Sequence, residues 1–205
     1  MIYCFGDSFT YGVELADKSC AWPHVLSKKL SQPIENFGIA GASNDTIART
    51  VVEKVLDNRP DFVIVSWTIV TRYEFYTVHH GCRNINAHHA TRFPFAEKLF
   101  AEWHDDVGKT IHWIGLLTML ENFLQNQGVD YIFATSLSNA GFVQQVRKCK
   151  NKSLRKWADM FDRSFLERCF MNWCKGMPLG PGGHPLEQGH EAIAEKMHDY
   201  IRNSK

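Results

Sequence analysis

A chain of 205 residues with 44% hydrophobic residues, among them 14 Phe and 6 Trp, can close one sizeable core, and its length fits a single domain. Charged residues make up 22% and nearly cancel to a formal +1, which excludes the overall basic footprint expected for nucleic acid or an anionic membrane. The composition is not that of a disordered chain, and there is no internal repeat or low-complexity linker.

The six cysteines, Cys4, Cys20, Cys82, Cys149, Cys169 and Cys174, contain no C-x-x-C pair, and a chain of this size does not need staples, so reduced thiols are expected. The first strand-like run begins at Ile2, leaving no room for the basic head and apolar run of a signal peptide. The longest apolar stretches, Phe62 to Trp67 and Ile114 to Leu120, fall well short of the ~20 residues of a membrane-spanning helix. The expectation is a soluble, cytoplasmic protein.

In chain order, short aromatic and β-branched runs at Ile2 to Phe5, Ile34 to Phe37, Phe62 to Trp67 and Tyr131 to Thr135 predict strands. Between the first two, Trp22, Val25, Leu26 and Leu30 share a helical face, with Pro23 suited to a first turn. After the second, Ser43, Asn44 and Asp45 offer caps for a helix lined by Ile47, Val51, Val55 and Leu56 and ended by Asn58 and Pro60. Phe95, Leu99, Trp103, Val107, Ile111, Ile114 and Leu117 keep helical spacing as one helix or two, with Gly108 as a candidate break. A weakly patterned segment at about 136–165, including the basic run Arg147 to Lys156, reads as a variable surface insertion. A short fifth strand is expected around Arg168 to Asn172, and Ala192, Ile193, Met197 and Ile201 form the stripe of a last helix. This alternation predicts an α/β fold, a parallel sheet covered by helices in three layers. The polar stretch Thr77 to Pro94 is longer than a usual connection and reads as a lid or insertion.

In such a sheet, ligands sit at the carboxyl ends of the strands, and Ser8, Gly41 and Ser66 to Thr68 all follow or close strands at that end. "CFGDSFTYG" places Ser8 in a glycine-bracketed turn, where a serine is either a nucleophile or a helix cap. A nucleophile needs a base, and "GPGGHPLEQGHEAIAE" holds His184 in a Gly- and Pro-rich loop before the last helix.

"FGDSFTYG" resembles the first block of the SGNH (GDSL-type) hydrolases, "NFGIAGAS" their second, and "GGHPLEQGHEAIAEKM" their last, in the right order across nearly the whole chain. The resemblance implies one domain over residues 1–205 with a flavodoxin-like α/β/α sandwich. It implies Ser8 as nucleophile, His184 as general base, the backbone N–H groups of Ser8 and Gly41 as oxyanion donors, and no cofactor or metal. Two positions depart from that pattern. Where the family's third block carries an oxyanion-hole asparagine, "VIVSWTIVTRYEF" has Trp67 and Thr68, whose hydroxyl can donate one hydrogen bond. Pro181 stands where an aspartate lies three residues before the histidine. The expectation is therefore a Ser-His dyad, its imidazole oriented by a carbonyl of the Leu179 to Gly183 loop or by an acid from elsewhere such as Glu74.

Simpler roles are available to the same residues. Gly41 suits tight helix–strand packing, Arg72 and Glu74 after the third strand either border the pocket or form a surface ion pair, and the pairs His79-His80 and His88-His89 suit a solvated or lid segment more than a metal site, because adjacent side chains of an extended segment point apart. The function the resemblance implies is hydrolysis of a small-molecule ester, including an O-acetyl group on a carbohydrate or lipid, with acyl transfer to an alcohol or an eroded, non-catalytic binding module as alternatives. The short build is also similar to compact variants of bacteria and their phages.

Overall fold

The computed structural model describes residues 1–78, 81–87, 93–159 and 164–203. Four strands, β1 (Ile2–Gly6), β2 (Ile34–Gly38), β3 (Phe62–Trp67) and β6 (Asp130–Thr135), form one parallel sheet in the order β2-β1-β3-β6. Cys4 lies beside Asn36 on one side and Ile64 on the other, and Trp67 beside Thr135. The remaining strands, β4 (Tyr73–Thr77) and β5 (Gly81–Ile85), pair antiparallel as a separate hairpin.

The helices are α1 (Ser8–Tyr11), α2 (Trp22–Leu30), α3 (Asn44–Asp57), α4 (Pro94–Lys98), α5 (Asp106–Asn126), α6 (Ala140–Lys148), α7 (Lys152–Trp157), α8 (Ser164–Glu167), α9 (Phe170–Trp173) and α10 (Glu187–Asn203). Strand alternation sorts the side chains to two faces. Tyr3, Phe5, Val63, Val65 and Phe133 meet Val51 and Val55 of α3 and Trp113, Leu117 and Leu124 of α5. Ile2, Cys4, Ile64, Ile132 and Ala134 meet Trp22 and Leu26 of α2 and Ile193, Met197 and Ile201 of α10. Each of the Val, Leu, Ile, Phe and Met side chains among them contributes about 1.5–3 kcal/mol by leaving water, which makes the three-layer sandwich the stable solution for this pattern.

The predicted helix boundaries follow local chemistry. Ser43 caps α3 by accepting from the Thr46 N–H at 3.2 Å, and α2 has Pro23 in its first turn. Gly108 does not break a helix: Asp105 accepts from the Gly108 N–H at 2.7 Å and thereby starts α5, while the interruption falls at His104 and Asp105. The last stripe uses Ala194 in place of the expected Ala192.

Three expectations need correction. The fifth strand shrinks to a single parallel bridge between Thr135 and Cys169, because the chain turns at once into α9, whose Phe170 is buried one helical turn from Cys174 against Trp22. The segment 136–165 is not a loose insertion over its described part: Val143, Val146 and Ala158 are buried where α6 and α7 pack on α5. The stretch from Thr77 is not all connection: Thr77 ends β4, Gly81–Ile85 form β5, and Asn84 ties that strand to the start of α3 by accepting from Ser43 N–H at 2.9 Å and Thr46 Oγ1 at 2.7 Å. The pairs His79-His80 and His88-His89 lie outside the described residues. The cysteines whose side chains are described, Cys4, Cys20, Cys149, Cys169 and Cys174, are free thiols, and no described helix is long and apolar enough to cross a membrane.

Candidate active site

Because β1, β2, β3 and β6 run parallel, their carboxyl ends share one edge of the sheet, and the loops leaving them meet there. Those loops and the chain before α10 enclose a pocket of about 450 Å³ lined by Ser8, Gly41, Arg72, Asn86, Gly183 and His184, with Phe9 and Leu137 among its apolar walls. Volume alone does not single it out, since the concavity beside Gly128 and Asp130 measures about 520 Å³. Its lining does, because a hydroxyl and an imidazole face one space.

Ser8 is the first residue of α1, and the cap of that helix is Asp7, whose Oδ1 accepts from the Phe9 N–H at 3.1 Å. The capping role considered for Ser8 is thus already filled. The other Asp7 oxygen, wholly buried, accepts from Thr68 Oγ1 at 2.7 Å, Ser136 Oγ at 2.9 Å and Arg72 Nη1 at 3.2 Å. Hydroxyls from the ends of two strands and one guanidinium therefore hold the carboxylate under the nucleophile turn, as a buried charge requires.

This arrangement decides what Thr68 does here. Its hydroxyl points at Asp7, its N–H donates to Asn44 Oδ1 at 2.9 Å, and its carbonyl accepts from Asn44 Nδ2 and Asn139 Nδ2, so the residue sits fully buried beneath the pocket. Trp67 beside it is also fully buried. Among the described residues, the asparagine that lines the pocket is Asn86, from the chain following β5, a position to which no sequence block pointed.

Gly41 stands at φ +77°, in the left-handed region, and a Cβ placed there would meet nothing within 4 Å. Backbone conformation, and not tight packing, is what glycine supplies at this position. Arg72 does not pair with Glu74: its Nη1 bridges Asp7 and the Ala42 carbonyl, the latter at 2.9 Å, and so ties the residue before Ser8 to the residue after Gly41. Glu74 binds Arg49 at 2.6 Å and Thr46 at 3.0 Å, which removes it as a partner for the imidazole.

The partner His184 does have is Glu14, a residue the sequence blocks passed over. Its Oε2 accepts from His184 Nδ1 at 2.8 Å and from the His184 N–H at 3.1 Å, and its Oε1 accepts from the Gly182 N–H at 2.7 Å. The bond from the Gly182 N–H, followed by those from His184, holds the Glu14 carboxyl below its ordinary range. Glu14 itself has φ +68°, a conformation that costs a residue with a side chain about 1–2 kcal/mol. The turn that forces it there is braced by Lys18, whose ammonium donates to the Gly12 and Leu15 carbonyls at 2.6 and 3.3 Å. The usable sequence signal was negative: a histidine loop without any acid needs one from outside, and Glu14 is the first acid after the nucleophile turn.

Among the described residues, the grouping of side chains that could hold a metal is Glu195, His198 and Asp199 on α10, where Glu195 is already paired with Lys29 at 2.6 Å. It shares no residue with the pocket.

Solved structures with the same fold are those of G-D-S-L lipolytic proteins and esterases. A lipolytic protein of the G-D-S-L family from Desulfitobacterium hafniense aligns over 97% of each chain with 13% identity and a TM-score of 0.57. The esterase EstA from Pseudoalteromonas, in a structure inhibited by monoethylphosphonate, aligns over 98% of this chain and 96% of its own with 16% identity and a TM-score of 0.55. An acetyl xylan esterase from Butyrivibrio proteoclasticus aligns over 99% of this chain and 63% of its own with 11% identity and a TM-score of 0.54. At such identities the likeness establishes the SGNH-hydrolase fold. No curated protein matches by sequence. A family described only as a family of unknown function, DUF6071, matches residues 8–205, and the chain belongs to that family.

Proposed function

We propose that the protein is a serine ester hydrolase that acts on a small acylated substrate, with Ser8 as nucleophile and His184 as general base. The observation that carries this reading is that Ser8, Gly41 and His184, brought from three distant parts of the chain, line one pocket at the carboxyl edge of the sheet. Because the Glu14 carboxylate can only accept, His184 Nδ1 carries a proton, and Nε2 of the neutral ring is the nitrogen left to act as base.

Ser8 Oγ attacks the acyl carbon while His184 Nε2 takes its proton, giving a tetrahedral oxyanion. The Ser8 and Gly41 backbone N–H groups are assigned to that oxyanion, and one such donor is worth about 2.7–4 kcal/mol of barrier. Collapse expels the alcohol, which leaves with the proton from His184. Water then adds to the acyl-serine, giving its proton to His184, and the second collapse returns that proton to Ser8 and releases the acid. The volume of the pocket suits a short acyl group together with part of a sugar. The fold relative that is an acetyl xylan esterase favours an O-acetylated carbohydrate as the first substrate class to try.

The test is covalent labelling by a small fluorophosphonate, followed by intact mass on the unmodified chain, Ser8→Ala and His184→Ala. A single adduct that maps to Ser8 and is absent or strongly slowed in both variants is the expected result. A folded protein that forms no adduct under conditions labelling a control esterase would replace this reading with a binding module that has lost its chemistry.

A further inference from the structure

Within that reading of Ser8 and His184, we propose that Glu14 is the third member of a Ser-His-Glu relay: its carboxylate fixes the tautomer and orientation of His184 and stabilises the imidazolium formed in each acyl-transfer step. The acid comes from the turn behind the nucleophile and not from the histidine's own loop.

Three sets of observations lead there. The first is the bonding of the carboxylate. Two of its bonds go to backbone N–H groups of the histidine loop, which would suffice to hold the loop in place, and a third goes to the ring nitrogen Nδ1. A loop staple has no need of the ring bond, whereas a base that must keep Nε2 unprotonated has.

The second is the shape of the receiving loop. A Cβ at Gly180 would lie 2.6 Å from the Glu14 carboxyl carbon, and one at Gly182 would lie 3.0 Å from Oε2. The loop therefore lacks side chains at both places where the carboxylate enters. The loop is closed on itself by two backbone bonds, Gly183 N–H to the Gly180 carbonyl and Gly180 N–H to the His184 carbonyl, both at 2.9 Å. Pro181, between those glycines, holds the place of the expected acid, and neither the loop carbonyls nor Glu74 supplies the bond to the ring.

The third is the rigidity of the donating turn. Both the Gly12 and Val13 N–H groups donate to the Ser8 carbonyl at 3.0 Å, so the nucleophile and the acid share one short segment with two left-handed residues, Gly12 and Glu14. A side-chain-bearing residue held in that conformation at a functional site points to a geometric demand. Ser8 and Glu14 thus form a fixed frame into which the C-terminal loop delivers the histidine. Glu14 acts through His184 and is a positioning residue, not one that touches substrate.

The experiment compares Glu14→Gln and Glu14→Asp with the unmodified chain in the rate of fluorophosphonate labelling at Ser8, together with the Nδ1-bound proton resonance of His184 and the thermal midpoint. Glutamine can keep its oxygen on the Gly182 N–H while its amide nitrogen takes the place of Oε2, where it donates to the ring and favours the wrong tautomer, giving up the bond from the His184 N–H. The expected result is a folded Glu14→Gln chain labelled about 10²- to 10⁴-fold more slowly, without the Nδ1 proton signal, and partial recovery of rate in Glu14→Asp. Labelling of Glu14→Gln within threefold of the unmodified rate would overturn the proposal while leaving Ser8 and His184 in place. An unmodified chain that never labels would overturn both readings, even if the Nδ1 signal persisted as a structural bond. Should Glu14→Gln not fold, Gly180→Ala keeps the carboxylate but pushes it off the ring, and the same loss or retention of rate decides.

Discussion

His184 and His190 stand on either side of Glu187, where α10 begins, and the fold uses their rings in opposite senses. In His184 the Nδ1 donates to Glu14, so the proton sits on Nδ1 and Nε2 is the basic nitrogen. In His190 the Nδ1 accepts from the Trp22 N–H at 3.1 Å, so the neutral ring carries its proton on Nε2 and caps the start of α2 from inside the core. His184 keeps part of its surface in the pocket, while His190 is fully buried. Burial, with Lys18 and His184 nearby, pushes His190 down to about 4. The partner at Nδ1 makes one imidazole a candidate base and the other a helix cap, although both occur in a single short motif.

The largest effects come from removing each ring in turn. His184→Ala is expected to lower ester turnover at least about 10⁴-fold with little change in thermal midpoint, since its ring faces the pocket. His190→Ala is expected to leave turnover within a few fold but cost about 2–4 kcal/mol, from the cavity and the unpartnered Trp22 N–H. Urea denaturation and initial rates on both variants check the division. Equal loss of activity with no loss of stability in His190→Ala would break it.

The sequence reveals the frame and hides the joints. Strand runs such as Phe62 to Trp67 and the Ile193, Met197, Ile201 stripe are burial patterns, and burial is periodic, so the sandwich is legible. Ser8, Gly41 and His184 sit in short motifs fixed by turn chemistry, and the resemblance brought them to one edge. Glu14 was illegible because it reaches His184 through a left-handed turn, and neither its conformation nor a contact across almost the whole chain leaves a local trace. Thr68 was read by its place after β3, yet the buried Asp7 carboxylate takes its hydroxyl. The fifth strand was misread because Cys169 and Phe170 suit a strand by composition, while the burial of Phe170 together with Cys174 obeys a helical period.

Acid provides the next, smaller discrimination. His190 in the folded chain binds a proton near pH 4, against an ordinary value of 6.5, so the unfolded chain takes up the proton first as pH falls. The stability tied to its neutral form is complete above about pH 6.5, declines as pH drops toward 4, and does not decline further from this group below that. At about 1.4 kcal/mol per pH unit, the whole window is worth up to about 3 kcal/mol. The carboxyls held low, among them Glu14, Asp17 and Asp45, lose their contributions progressively as pH falls below their ordinary values of 4.5 for Glu and 3.8 for Asp, and leave the upper part of the window to histidine. Urea midpoints at pH 7.0, 6.0 and 5.0 should fall in the unmodified chain, and a flat series would mean that His190 is not held neutral.

The smallest effect separates the cap from the charge. His190→Gln keeps an oxygen able to accept the Trp22 N–H but cannot take up a proton in this range. It should cost only about 1 kcal/mol at pH 7, because a hydrogen bond is kept and only packing changes, and the decline between pH 7 and 5 should flatten. At pH 5 the variant and the unmodified chain should therefore converge in stability, or even cross. If the slope persists unchanged in His190→Gln, the acid response belongs to another group, and the contrast between the two rings reduces to their geometry.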